Sequence, residues 1–176
     1  MADERDPAPA GPGARDAAIL RDATPGDLDF LRRMTYEAAF WRGDGPRPDM
    51  ERALADDAIA GYVPRFGAPG DIAVLAERGG RPVGAAWCRC FPAERPGYGF
   101  VAADVPEVAV AVEAPSRRRG VATALLQALM ARAAARGFTR VSLSVNFDNP
   151  SARVYRRLGF CEAGFDEESW IMVRDL

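Results

Sequence analysis

The chain has 176 residues, 48% of them hydrophobic and 27% charged, with a formal net charge of −2. That length and balance predict one soluble globular domain with a sizeable core, and the slight acidity argues against a nucleic-acid binder. Histidine is absent and every positive residue is arginine, which removes His-based triads, H-E-x-x-H zinc sites and the lysine of a P-loop.

Cys88, Cys90 and Cys161 form neither a C-x-x-C pair nor a disulfide framework. They read as free thiols suited to a reducing cytoplasm. No apolar run approaches the ~20 residues of a membrane span. The start of the chain is acidic and lacks an apolar stretch, unlike a signal peptide. A cytoplasmic protein with no membrane partner and no metal site is the expectation.

In chain order, residues 1–16 are Pro, Gly, Ala and charge, and read as a disordered tail. Residues 17–176 read as a single domain. Ala17 to Arg21 is a short first strand. Thr24 as N-cap, Pro25 and Asp27 then start a helix whose apolar face carries Leu28, Leu31, Met34, Thr35 and Ala38. Gly and Pro between Phe40 and Pro48 break it. Asp49 to Ala60 resumes as one helix, and Tyr62 to Gly70 is loop. Ile72–Glu77 and Pro82–Cys90 form a hairpin about Gly79-Gly80. Val83, Ala85, Trp87 and Arg89 are expected on one face, with Gly84, Ala86, Cys88 and Cys90 on the other. Phe91 to Val105 is a long loop, of the kind that is often functional.

A strand over 107–113 places valines 108, 110 and 112 on one face and Ala109 and Ala111 on the other. A helix over 121–136 follows, with Val121, Leu125, Leu126 and Leu129 at helical spacing. Arg140 to Val145 alternates as a strand. Asn149 caps a helix that Pro150 begins and Gly159 ends. Phe160–Gly164 and Glu168–Val173 close the chain with a modest apolar content that suggests an edge region.

The turn between strand 107–113 and its helix is Arg117-Arg118-Arg119-Gly120-Val121-Ala122. A helix start exposes unpaired N–H groups and positive dipole, so it suits an anion. Gly120 lets the backbone approach a ligand. A dinucleotide fingerprint fits poorly, because the next strand ends in Ser144-Val145-Asn146 with no acidic residue for a ribose.

Arg117-x-x-Gly120-x-Ala122 resembles the acyl-CoA signature of the GNAT N-acetyltransferase family. Asn149-x-x-Ala152-x-x-Tyr155-x-x-x-Gly159-Phe160 resembles that family's second motif. The resemblance runs from about residue 18 to the end, and its specific part is 106–160. It implies an α/β (α+β) fold: a mixed, mostly antiparallel twisted sheet with splayed central strands, flanked by helices.

It also implies acetyl-CoA as cofactor. The residues it marks for holding that group are Val110, Ala111, Val112, Arg117, Arg118, Arg119, Gly120, Val121, Ala122, Thr123, Asn149, Ser151, Ala152 and Tyr155. The oxyanion donor would be a backbone N–H near Val110 or Ala111. Tyr155 would protonate the leaving thiolate, and Glu107 would be the base, with Glu37 and Glu113 as alternatives. Tyr36, Glu37, Trp41 and Tyr98 would meet the acceptor, a small-molecule or peptide amine. The resemblance leaves a homodimer open. A non-catalytic acyl-CoA-binding module and a scaffold protein remain as other readings.

Overall fold

The computed structural model describes residues 18–43, 45, 47–65, 68 and 70–176. The expected tail, residues 1–16, lies outside them. The described chain runs β1 (Ile19–Asp22), α1 (Leu28–Ala39), α2 (Met50–Leu54), α3 (Asp57–Ala60), β2 (Ile72–Arg78), β3 (Arg81–Arg89), β4 (Glu107–Val112), α4 (Val121–Ala135), β5 (Arg140–Asn146), α5 (Ala152–Arg157), β6 (Cys161–Phe165) and β7 (Ser169–Asp175). The strands form one seven-stranded sheet in the order β1-β2-β3-β4-β5-β7-β6. Every neighbouring pair is antiparallel except β4 and β5. That parallel pair is bridged only at Glu107 and Ser142. Beyond the bridge the two strands part.

The alternation of valine and alanine in β4 sorts the two cores. Val108 and Val112 pack with Leu125, Leu126 and Leu129 of α4, while Ala111 packs with Leu31 and Met34 of α1. Helices therefore cover both faces of the sheet, and β4 carries small side chains where it meets α1. Among the described residues no helix is long and apolar enough to cross a membrane.

Four expectations change. The helix over Asp49–Ala60 is two short helices, because Asp49 caps Glu51 and Arg52 while Asp56 caps Ala58 and starts a second one. The first helix opens as a 3-10 turn, Pro25–Asp27, before α1. There the Asp27 carboxylate accepts the Thr24 N–H at 2.8 Å and is pinned by Arg21, which holds it well below the usual carboxylate range. Val83 leaves the face of Ala85 and Trp87. The β2–β3 register steps from Ala76↔Gly84 to Glu77↔Pro82, so Val83 is an extra residue that turns toward α4. Finally, β6 is an edge strand but β7 is not. β7 pairs with β5 over seven residues and with β6 on its other side, and its place follows from backbone pairing that its side chains do not advertise.

Leu125 is fully buried between β3, β4 and α4. Leu125→Ala should lower unfolding free energy by about 2–5 kcal/mol, read from urea denaturation. A loss within experimental error would mean that α4 does not seal this core.

Candidate active site

A cavity of about 1150 Å³ opens where β4 and β5 part. Its walls are Val108–Val112 of β4, Ser144–Asn146 of β5, the turn into α4, the end of α1 and residues of α5. The backbone of β4 faces it in a regular way. Ser142 N donates to Pro106 O at 3.1 Å on the β5 side, and Glu113 N donates to Val83 O at 2.9 Å on the β3 side. Arg117 Nε, from the turn, donates to Val112 O at 2.8 Å. Even-numbered residues of β4 thus turn their N–H and C=O groups to the cleft, and odd-numbered ones serve the β3 ladder. Val110 N–H faces the cleft, whereas Ala111 N–H faces β3.

The turn into α4 is built for an anion. Arg118 has φ 60° and Gly120 φ 78°. The left-handed region is strained for an arginine and easy for glycine. Among the described residues no side chain caps α4. Its first backbone bond runs from Ala124 N to Gly120 O, which leaves the N–H groups of Val121, Ala122 and Thr123 facing outward at the dipole's positive end. Arg117, Arg118, Gly120, Val121, Ala122 and Thr123 all line the cleft. Arg117 does more than supply charge. Its NH2 group reaches Glu37 at 3.3 Å, so it straps the turn to α1.

Some expected site residues stand elsewhere. Arg119 is exposed and outside the cleft wall. Ala152 is buried in the α4-side core, and Ser151 and Asn149 line the cleft instead, with Asn149 Oδ1 accepting the Ser151 N–H at 2.9 Å. Tyr36 donates its hydroxyl to Pro48 O at 2.7 Å and is not in the wall. Motif spacing locates a turn or helix but not which side chains face inward. Glu37 lines the cleft and is paired to both Arg47 and Arg117. Glu113 is tied to Arg33 at 2.8 Å. Trp41 bridges the cleft mouth, with Nε1 donating to Asn146 Oδ1 at 3.0 Å.

Glu107 sits at the bridge where the strands begin to part. It is 3% exposed. Its Oε1 accepts the Tyr62 hydroxyl at 2.5 Å and the Gly99 N–H at 2.7 Å. Burial pushes its carboxyl up to about 7, against the opposing pull of those two donors. The segment Gly97-Tyr98-Gly99 lies directly over it. An added Cβ at Gly97 would collide with Glu107 Oε2, and one at Gly99 would collide with the Leu143 backbone. Tyr62 and Tyr98 both line the cleft.

Tyr62 was not legible as a site residue. Its turn is held from β3, where Trp87 Nε1 donates to Tyr62 O at 2.7 Å and Arg89 bonds the carbonyls of Gly61 and Val63. The glycines flanking Tyr98 were the one available signal. Tyr155 lines the other side of the cleft, half-buried, with its ring edge on Phe160. Its hydroxyl makes no hydrogen bond among the described residues, and burial pushes it up to about 12, so it stays protonated at neutral pH.

A sheet split at one parallel pair, with a helix start at the mouth of the split, leaves an open cleft with a positive rim. The family model described as "Acetyltransferase (GNAT) family" matches residues 31–160, and the chain belongs to that family. Solved structures share the fold. The GNAT domain of S. lividans PAT superposes with a TM-score of 0.66 at 21% identity, over 95% of this chain and 100% of that one. The PaiA N-acetyltransferase from Thermoplasma acidophilum, in complex with coenzyme A, gives 0.67 at 15% identity over 91% and 99%. A GNAT superfamily phosphinothricin acetyltransferase from Sinorhizobium meliloti, in complex with AcCoA, gives 0.62 at 25% identity over 91% and 89%. No curated protein matches the chain.

The raised carboxyl has a consequence for stability. An acid whose folded pKa lies above its ordinary 4.5, at about 7, keeps its proton in the fold after the unfolded chain has lost it. Stability from Glu107 is then greatest below pH 4.5 and falls as pH rises to about 7. At roughly 1.4 kcal/mol per pKa unit the fall is on the order of 3 kcal/mol. Glu107→Gln should flatten that part of the stability–pH curve. An identical fall in the variant would place the cause elsewhere.

Proposed function

We propose that the protein is an N-acetyltransferase that moves the acetyl group of acetyl-CoA to a primary amine of a small molecule or peptide. Attack is direct, with both reactants held in one ternary complex. The observation that carries this reading is the position of Val110 N–H. It faces the cleft without a strand partner, on the strand that begins at the buried Glu107 and leads into the uncapped start of α4. Relatives solved with coenzyme A and AcCoA support it.

The residues present fit an acyl-CoA. The N–H groups of Val121, Ala122 and Thr123 and the side chain of Arg118 suit a pyrophosphate. The gap between β4 and β5 offers Val108 and Val110 backbone groups to an amide-bearing arm. Bound acetyl-CoA supplies an activated acyl carbonyl and a thiolate leaving group.

The protein's own part is positioning and proton handling. Val110 N–H is aimed at the place where negative charge develops. Tyr155, neutral at working pH, gives its proton to the departing sulfur. Glu107, with a carboxyl near neutrality, accepts the proton that the acceptor ammonium must lose. Trp41, Tyr62 and Tyr98 line the acceptor end. An acyl-CoA-binding module without turnover would have no use for a buried carboxylate at the bridge.

Tyr155→Phe keeps the ring and its packing on Phe160. It should lower kcat by roughly 10²–10⁴ and leave acetyl-CoA affinity by calorimetry nearly unchanged; full activity in the variant would make the hydroxyl structural. Gly120→Glu meets no steric neighbour, but it strains a left-handed position and brings negative charge to the helix start. Acetyl-CoA binding should vanish while circular dichroism keeps the native fold. Unchanged affinity would remove the turn from the ligand site.

A further inference from the structure

Glu107 borders the cleft, with its carboxyl almost fully buried and one oxygen already bonded. Its Oε1 is occupied by the Tyr62 hydroxyl at 2.5 Å and the Gly99 N–H at 2.7 Å. Its Oε2 is buried, has no hydrogen-bond partner among the described residues, and abuts Gly97. Tyr62 lines the cleft as well and bonds that carboxylate directly. Its hydroxyl donates to Glu107 and accepts the Tyr98 N–H at 2.7 Å, a contact that an acceptor ammonium would share or displace.

Resting on the acetyltransferase reading above, we propose that Tyr62 is the proton relay of the reaction. The acceptor ammonium gives its proton to Tyr62 Oη while Tyr62 gives its own hydroxyl proton to Glu107 Oε1. One N–H bond breaks and one O–H bond forms on Tyr62; the original O–H bond breaks and one forms on Glu107. The ammonium becomes a neutral amine, the carboxylate becomes a carboxylic acid, and Tyr62 is neutral before and after.

The surroundings suit this role. Burial and the adjacent Glu107 push the Tyr62 phenol well above its ordinary range, so it conducts a proton without ionising. The ring is stacked on Tyr98 and tilted on Phe91, with centroids 6.0 and 4.9 Å away. Its backbone is held by Trp87 and Arg89. The other groups around Glu107 do not compete. Arg89, opposite it on β3, is bound to Asp71 at 2.8 Å and to the carbonyls of the Tyr62 turn. Ser142, opposite it on β5, has a buried hydroxyl with no partner among the described residues, and Tyr98 reaches the network through its backbone.

The test uses a primary alkylamine that the wild type acetylates, and follows kcat/KM against pH for wild type, Tyr62→Phe, Glu107→Gln and the double variant. A relay predicts a loss of roughly 10²–10⁴ at neutral pH for Tyr62→Phe. It also predicts that the Glu107 limb disappears from the profile, and that the double variant is no slower than Glu107→Gln. A limb that persists in Tyr62→Phe at a higher pH, or losses that add in the double variant, would overturn the relay and leave Tyr62 as a positioning residue.

Two readouts do not depend on the variant turning over. The wild-type rate in mixtures of light and heavy water should curve, as for two protons in flight, and a straight line contradicts the relay. Carbon-13 NMR of the Glu107 carboxyl, without acyl donor, should move its titration upward in Tyr62→Phe, since a donor is lost; an unmoved titration would show that the hydroxyl does not reach the carboxylate. A wild type that acetylates no amine would overturn the underlying function, whereas activity with a persistent limb overturns the relay alone.

Discussion

The structure depends on one incomplete pairing. β4 and β5 meet at Glu107 and Ser142 and then separate. Unpaired backbone in a sheet interior is costly unless something satisfies it. Here Arg117 satisfies Val112 O from outside the strand, and Val110, beyond the bridge, turns its N–H to the cleft. The sheet tolerates the split because each half is fully paired on its other side, β4 to β3 over six residues and β5 to β7 over seven. The cleft is therefore a gap between two rigid ladders, and its width does not depend on loops.

Around that gap the protein divides its electrostatics by position. The positive end lies at the start of α4, where helix dipole, Arg117 and Arg118 meet. The acidic end lies at the bridge, where Glu107 is buried against the Tyr62 turn and the Gly97–Gly99 segment. That burial costs stability as the carboxylate charges, and the same cost raises its pKa to about 7. The glycines at 97 and 99 allow the covering loop to approach near enough to exclude water. Arg89, itself buried, spends its hydrogen bonds on the turn that presents Tyr62.

The sequence made some of this readable and hid the rest for physical reasons. Local patterns were legible. Valine and alanine alternation in β4 separated its two faces, and Gly120 marked the start of α4. Features set by pairing were not. The bulge at Val83 adds one residue to a ladder and leaves no compositional trace. The split of 49–60 into two helices was written in the cap residues Asp49 and Asp56, but it was outweighed by continuous apolar spacing. Tyr62 lies 45 residues from Glu107, and Glu37 lies 80 from Arg117. Such partners meet only in the folded sheet, so Glu107 could be singled out by its place at the start of β4, while its contact with Tyr62 could not be read.

The central claim is that this cleft transfers acetyl groups to amines. It is tested most directly by incubating the protein with carbon-13-acetyl-CoA and a mixed panel of primary amines and peptides, then reading the mixture by mass spectrometry. The account predicts a labelled N-acetyl product and an equal amount of free CoA. Binding of acetyl-CoA with no labelled amine anywhere in the panel would contradict it and favour a non-catalytic binding module; failure to bind acetyl-CoA at all would leave the fold as a scaffold.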